Sequence, residues 1–211
     1  MPNDAEAAEN EGGSDIRVVL GLGNPGEKYV DTRHNVGFRV LDEMARRRGT
    51  GLDTDRCRSK VAEVEIPDGG VALLAAPQTF MNRSGYAARC LTELHGIAPE
   101  QMLVVYDEVH LPLGTLRLRP KGSPAGHRGM ESVLESLGTG GVPRLRVGVG
   151  GEDGPPAGED LVSFVLDRFA TAEMPSVERL VRRAADACEA WLVGGAEPAM
   201  QKFNGPLPDA E

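Results

Sequence analysis

Residues 16–34 have the sequence IRVVLGLGNPGEKYVDTRH, which joins a strand-like segment to the start of a helix. The run from Ile16 to Leu22 is mostly apolar, as is typical of a buried strand. The Gly, Asn, Pro and Gly of residues 23–26 end it, so we expect an irregular loop rather than an immediate helix. That loop ends at His34, where an amphipathic helix is predicted over about 35–48. A polar side chain held over a sheet edge is a candidate functional group, so His34 is considered first.

The composition is that of one globular domain: the chain has 211 residues, of which 40% are hydrophobic and 26% charged. No stretch approaches the roughly 18 apolar residues that a membrane span needs. The N-terminus lacks the basic start and apolar core of a signal peptide. Cys57, Cys90 and Cys188 show no C-x-x-C spacing, which argues against a disulfide framework and a thiolate zinc site. We therefore expect a cytoplasmic protein in a reducing compartment.

The charge is unevenly distributed along the chain. Residues 1–15 contain five acids and no base, and Asp209 and Glu211 add two more acids. Without these seven acids the net charge of −9 falls to about −2. Residues 117–146 carry six bases against two acids, which is compatible with binding one end of an RNA, although an ordinary solvated surface has the same composition. Residues 1–15 are predicted to be a disordered acidic tail, and residues 206–211 a C-terminal tail.

Hydrophobic periodicity divides the remaining body, residues 16–205, into strands and helices. After the first strand and helix, further strands are predicted at 61–66, 71–76, 102–106, 115–119 and 144–149. A hairpin turn is predicted at 67–70. Further helices are predicted from a cap at Asn82 or Ser84 to His95, at 128–137 and at 171–193. This order predicts a single α/β domain around a mixed sheet.

Residues 21–26 match the dinucleotide-binding pattern G-x-G-x-x-G after a strand. That fingerprint requires a helix to begin at the glycines, so that free N–H groups point at the pyrophosphate. Here Pro25 removes one donor and the helix begins about ten residues later. The acids expected near the ribose, Asp42 and Glu43, fall inside the predicted helix. The match is therefore weak evidence for a nucleotide cofactor.

His34 needs a partner if it is to act as a base, and Asp107 is the natural candidate because it ends a predicted inner strand. An aspartate that accepts from one ring nitrogen fixes the tautomer and raises the basicity of the other. The alternatives are a structural histidine and a turn-forming aspartate. Asn24 and Asn82 can be loop residues, or their amides can position water and stabilise an oxyanion. No G-x-S-x-G or H-E-x-x-H pattern is present, which favours water as the nucleophile without a metal.

Several spaced motifs identify a resemblance between Val18 and about Asn204. They are GLGNPGEKY and DTRHNVG within 21–37, PQTFMNRSG at 77–85, DEVHLPLG at 107–114, GHRG at 126–129, RLRVGVG at 144–150 and KFNG at 202–205. None of these blocks is specific alone. Together and in this order, they resemble the bacterial peptidyl-tRNA hydrolases.

The resemblance implies a three-layer α/β/α domain that hydrolyses the ester joining a peptide to the 3′-terminal ribose of tRNA, without a cofactor or metal and as a monomer. By motif position, His34 would be the base and Asp107 its orienting partner. Asn24 and Asn82 would bind the peptide backbone or the water. The remaining substrate-binding and tRNA-binding positions would be Tyr29, Phe80, Met81, His127, Arg128, Arg117, Arg119 and Arg146.

Two positions depart from the family pattern. Arg128 stands where the block is commonly G-G-H-N-G with an asparagine, and His110 stands where a second aspartate is usual. Arginine donates hydrogen bonds but cannot accept them, so it cannot reproduce the two-way bonding of an amide. Arg128 thus favours an alternative, a non-catalytic RNA-binding module. The intact set of His34, Asp107, Asn24 and Asn82 favours the enzyme.

Overall fold

The structure is a computed structural model that describes residues 16–67, 70–151, 154 and 159–208. The acidic tail predicted over 1–15 and the end of the C-terminal tail lie outside the described residues. The central residues of the hairpin turn predicted at 67–70, residues 68 and 69, also lie outside them. The other predicted strands and helices fall within the described ranges.

The centre of the fold is a mixed sheet of eight strands in the order β2-β3-β4-β1-β5-β7-β6-β8. The strands are β1 (Ile16–Gly21), β2 (Thr54–Arg56), β3 (Ser59–Glu65), β4 (Val71–Pro77), β5 (Met102–Pro112), β6 (Thr115–Arg119), β7 (Arg144–Gly150) and β8 (Gly205–Pro206). Strands β4, β1, β5 and β7 are parallel neighbours at the centre. Antiparallel pairs extend the sheet at both edges. The predicted α/β domain around a mixed sheet is confirmed.

Helices cover both faces of this sheet. They are α1 (Val36–Arg47), α2 (Gly85–His95), α3 (Arg128–Leu137), α4 (Glu159–Leu166), α5 (Met174–Gly194) and α6 (Ala196–Phe203). Side chains from α1, α5 and α6 form one apolar core with one face of the sheet, and side chains from α2 and α3 form a second core with the other. Alternation along β1 produces this division, because Val19 belongs to the first core whereas Val18 and Leu20 belong to the second.

Four short or less regular elements were not predicted from the sequence: β2, α4, α6 and β8. Strand β5 also continues six residues beyond the predicted end at Tyr106. At the C-terminus, Pro206 pairs with Thr115, and the amide of Leu207 donates to Gly114 O at 2.8 Å. Ordered contacts therefore continue past residue 205, where we expected the C-terminal tail to begin. Neither predicted cap acts through its side chain, since the Ser84 hydroxyl donates to Met81 O instead.

The prediction that the cysteines form no disulfide was wrong. Cys57, in the turn between β2 and β3, is bonded to Cys90 of α2, and Cys188 is free and buried. The two bonded residues are 33 positions apart. Spacing rules for short motifs cannot detect such a pair, because the fold rather than the sequence brings the sulfurs together.

Close packing between a helix and two strand ends fixes the geometry at the carboxyl edge of the parallel strands. A Cβ atom at Gly37 would lie 2.5 Å from both Leu22 O and Val105 O, so only glycine allows α1 to begin so near β1 and β5. The residues just before α1 are thereby held against β5 near Val105. Among the described residues, no helix has the length and apolar character needed to cross a membrane.

Candidate active site

His34 and Asp107 meet at this edge of the sheet. His34 lies in a 3₁₀ turn, Arg33–Asn35, that leads into α1, and Asp107 lies on β5. His34 Nδ1 is 2.8 Å from Asp107 Oδ1, and the aspartate side chain is only 2% exposed. The contact joins residues 73 positions apart. The two groups that we paired from the sequence therefore share one site.

A second imidazole contacts the same carboxylate oxygen. His127 Nε2 is 3.0 Å from Asp107 Oδ1, while His127 Nδ1 accepts a hydrogen bond from the Met130 amide at the start of α3. Because Nδ1 is an acceptor, the proton of a neutral His127 must be on Nε2, which then donates to Asp107. The sequence suggested only a substrate contact for His127 and gave no sign of this shared carboxylate.

The hydrogen bond to Asp107 also determines the tautomer of His34. When Nδ1 donates to Asp107, the lone pair of a neutral imidazole is on Nε2. Nε2 makes no hydrogen bond with the described part of the chain, and the side chain is 14% exposed. His34 thus presents an unoccupied acceptor nitrogen to solvent in the cleft.

The charges of the pair stabilise each other. Burial alone would lower the pKa of His34, but the adjacent Asp107 carboxylate outweighs burial, and the pKa is raised above its ordinary value of 6.5. Burial would likewise raise the pKa of Asp107. The neighbouring His34 and His127 imidazoles reverse that effect, and the pKa of this carboxyl lies well below its usual range. Asp107 is therefore a carboxylate at neutral pH.

Asn24 is held by a set of buried amide contacts. Its backbone N–H donates to Asn35 Oδ1 at 2.8 Å, and its backbone carbonyl accepts from Asn35 Nδ2 at 2.9 Å. Its own side-chain oxygen accepts from the Met81 amide at 2.8 Å. The loop after β1 is thus fixed to the loop after β4, and the Nδ2 group of Asn24 is left to donate. Asn35 was not predicted as a site residue.

These groups line a cleft of about 590 Å³. Its polar lining includes Asn24, His34, Asn82, Asp107, Glu108, His110, His127 and Arg128. Its apolar lining comes from Phe80, Met81 and Val109, and from Leu161, Val162, Val165 and Leu166 of α4. The i, i+1, i+4, i+5 spacing of the α4 residues is the signal that could have revealed this wall. Tyr29 does not line the cleft; its ring lies beneath Lys28 Nζ at 4.7 Å.

Arg33 connects the histidine turn to this apolar wall. Its guanidinium makes two hydrogen bonds to the Glu173 carboxylate, at 3.0 and 2.6 Å, and lies over the rings of Phe164 and Phe169. Its backbone amide donates to Asp167 O at 3.1 Å. The residue preceding His34 therefore fixes the position of α4 and the segment after it.

The predicted basic face is only partly available. Arg117 and Arg119 are exposed on β6, next to Arg146 and Arg144 of β7. Arg146 is largely covered and pairs with Glu108 at 3.3 Å. Arg144 is fully buried, where its guanidinium donates to backbone carbonyls including Gly122 O at 2.6 Å. Counting Arg144 as surface charge was therefore wrong; it fixes the loop before α3.

The fold also assembles a cluster that close sequence spacing could not reveal. One ligand-capable atom from each of His34, Asp107 and His127 lies within 4.8 Å of the others, an arrangement that could hold a metal ion. The absence of an H-E-x-x-H pattern, from which we expected no metal, gave no indication of this cluster. Both imidazole N–H groups already donate to Asp107, so the three side chains satisfy one another without an ion.

The mixed sheet carries a buried His–Asp pair inside a cleft, an arrangement typical of single-domain α/β enzymes. Residues 18–210 match the sequence profile of the family described as peptidyl-tRNA hydrolase. The chain belongs to the peptidyl-tRNA hydrolase family.

Individual relatives match over most of their length. The peptidyl-tRNA hydrolase of Roseiflexus castenholzii is 45% identical over 195 residues, 92% of this chain and 89% of that protein. That of Gloeobacter violaceus is 43% identical over 191 residues, 90% and 94% of the two chains. A crystal structure of the Acinetobacter baumannii peptidyl-tRNA hydrolase superposes with a TM-score of 0.85 at 30% identity, covering 94% of this chain and 100% of that one. The three-layer fold implied by the motifs is thus confirmed.

Proposed function

We propose that this protein hydrolyses the ester between a peptide, or an N-blocked amino acid, and the 3′-terminal ribose of tRNA. This reaction recycles tRNA from peptidyl-tRNA that is released prematurely. The observation that carries the proposal is the 2.8 Å contact between His34 and the buried Asp107, in a member of this family. The substrate is the one named for its relatives.

In the proposed mechanism, His34 Nε2 removes a proton from a water molecule as the water oxygen attacks the ester carbonyl. Asp107 keeps the imidazole in the required tautomer and stabilises its charged form. The tetrahedral intermediate then collapses, the bond to the ribose oxygen breaks, and His34 returns the proton to that oxygen. The products are a tRNA with a free 3′ hydroxyl and a peptide carboxylic acid, which loses its proton to solvent and leaves as the carboxylate.

The asparagines bind the substrate in this proposal. Asn82 is exposed in the cleft and donates to the developing oxyanion. The oxygen of Asn24 is occupied by the Met81 amide, so Asn24 acts on the peptide as a donor through Nδ2. Phe80 and Met81 contribute apolar contacts, and Arg117 and Arg119 bind tRNA phosphates.

We also propose that the protein is a cytoplasmic monomer that needs no metal. The Cys57–Cys90 bond removes part of the sequence argument for a reducing compartment, so the assignment to the cytoplasm rests on the substrate. Activity measured before and after treatment with a chelator tests the metal-free reaction, because the His34 and Asp107 chemistry does not require an ion.

Incubation of the purified protein with N-acetyl-aminoacyl-tRNA tests the function directly. Release of free tRNA and of the N-acetyl amino acid supports the enzyme. Tight binding without release supports instead the non-catalytic RNA-binding module that Arg128 favours.

A further inference from the structure

Arg128 is a cation in the cleft that no acid among the described residues neutralises. It is the first residue of α3 and lines the same cleft as His34 and Asp107. Its side chain is exposed, and within the described ranges its guanidinium makes no hydrogen bond or ion pair. Arg128 directly follows His127, whose imidazole contacts Asp107. Since consecutive Cα atoms are about 3.8 Å apart, the backbone of Arg128 lies close to the His–Asp pair.

The carboxylates of the described cleft are already engaged. Asp107 Oδ1 accepts from both His34 and His127. Glu108 Oε2 is 3.3 Å from an Arg146 nitrogen, and Glu108 Oε1 accepts from the His110 amide at 3.1 Å. Neither acid therefore neutralises Arg128, which leaves its planar fork of donors free to bind an anion from outside the protein.

We propose that Arg128 binds an oxyanion of the substrate close to the scissile ester, and that this group is the phosphodiester on the 5′ side of the terminal nucleotide. The inference rests on the proposed function, which puts that nucleotide at His34. Every peptidyl-tRNA carries this phosphate on the nucleotide whose ribose bears the ester. A peptide carboxylate has the same chemistry but is present only in acidic peptides.

The test uses two small substrates that differ only in this phosphate: the 3′-N-acetylglutaminyl ester of adenosine and the same ester of adenosine 5′-(methyl phosphate). Loss of one charge-assisted interaction corresponds to a preference of about 10–100-fold in kcat/KM for the phosphate-bearing ester. Arg128→Asn should reduce this preference, taken as the ratio of the two kcat/KM values of the same variant, to about 3-fold or less, whereas Arg128→Lys should keep part of it. Arg89→Asn removes an equal charge outside the cleft and should leave the preference unchanged.

Binding of the uncleavable 3′-amide analogues, measured by calorimetry, separates this inference from the proposed function. A phosphate preference in Kd that depends on Arg128 supports the inference even if no ester is hydrolysed. The lack of hydrolysis would contradict only the proposed enzymatic function. Equal phosphate preferences in the wild type and Arg128→Asn would overturn the inference. So would a preference for glutamyl over glutaminyl esters that depends on Arg128 without any phosphate effect, because the anion would then belong to the peptide.

Discussion

Replacement of Asp107 by asparagine removes a charge while nearly preserving shape. The carboxylate accepts from His34 at 2.8 Å and from His127 at 3.0 Å, and its side chain is 2% exposed. The imidazolium that forms as His34 takes the proton would lose its buried counter-charge. We expect kcat to fall by about 10²–10⁴-fold, the usual contribution of a positioned base, which equals roughly 3–5.5 kcal/mol of transition-state stabilisation.

The pH profile should change as well. A base acts when it is unprotonated, so the wild-type kcat/KM should rise with pH through the pKa of His34, which lies above 6.5. Without the carboxylate, burial acts alone and lowers that pKa, so the acidic limb of Asp107→Asn should move below 6.5. The assay is the initial rate of N-acetyl-aminoacyl-tRNA hydrolysis between about pH 5.5 and 9.

Glu108→Gln is the matched control, because Glu108 is the adjacent buried carboxylate and contacts Arg146 rather than His34. Its acidic limb should stay at the wild-type position. Near-normal turnover of Asp107→Asn with an unmoved limb would refute the proposed role of the carboxylate.

Three further perturbations test other parts of the molecule. Reversing the charges of Arg117 and Arg119 should weaken tRNA binding and make the negative slope of log affinity against log salt shallower by about 2, one for each phosphate that these arginines no longer bind; an unchanged slope would exclude such binding. Reduction of Cys57–Cys90 should lower the free energy of unfolding by about 3–4 kcal/mol, as measured by urea titration, whereas Cys57→Ser should not respond to reductant. Arg33→Met breaks a largely buried ion pair and should lower the free energy of unfolding by up to about 3 kcal/mol. It should also raise KM, because α4 would be held less firmly at the cleft. A KM equal to that of the wild type would argue against this link between Arg33 and α4.

Much of the fold was predictable because long apolar segments carry a clear period. The strands over 71–76 and 115–119 and the helix over 128–137 occur close to the predicted positions. The eight residues of α6 are too few for a clear periodic signal, and a two-residue strand such as β8 has none. The sequence also could not show that Arg144 is buried. Arg144 and Arg146 alternate with apolar residues along the strand, and this pattern is the same whether the face that carries the arginines is covered or exposed to solvent.

The site was predictable as far as strand ends and motifs could indicate it. Asp107 follows an apolar run, and its pairing with His34 was expected from the rule that functional carboxylates occupy strand ends. The pairing is present, although Asp107 lies inside β5 rather than at its end. That His127 shares the same oxygen depends on the start of α3, and the fixing of Asn24 by Asn35 depends on a tight turn. Both are tertiary arrangements without a period or a spacing to reveal them.

The proposed mechanism requires that Nε2 of His34 activates the attacking water. Its most direct test is single-turnover hydrolysis of N-acetyl-aminoacyl-tRNA by His34→Ala, with tRNA affinity measured on the same preparation. We predict that the rate falls by about 10²–10⁴-fold while tRNA binds as in the wild type. Hydrolysis by His34→Ala at close to the wild-type rate would contradict the account.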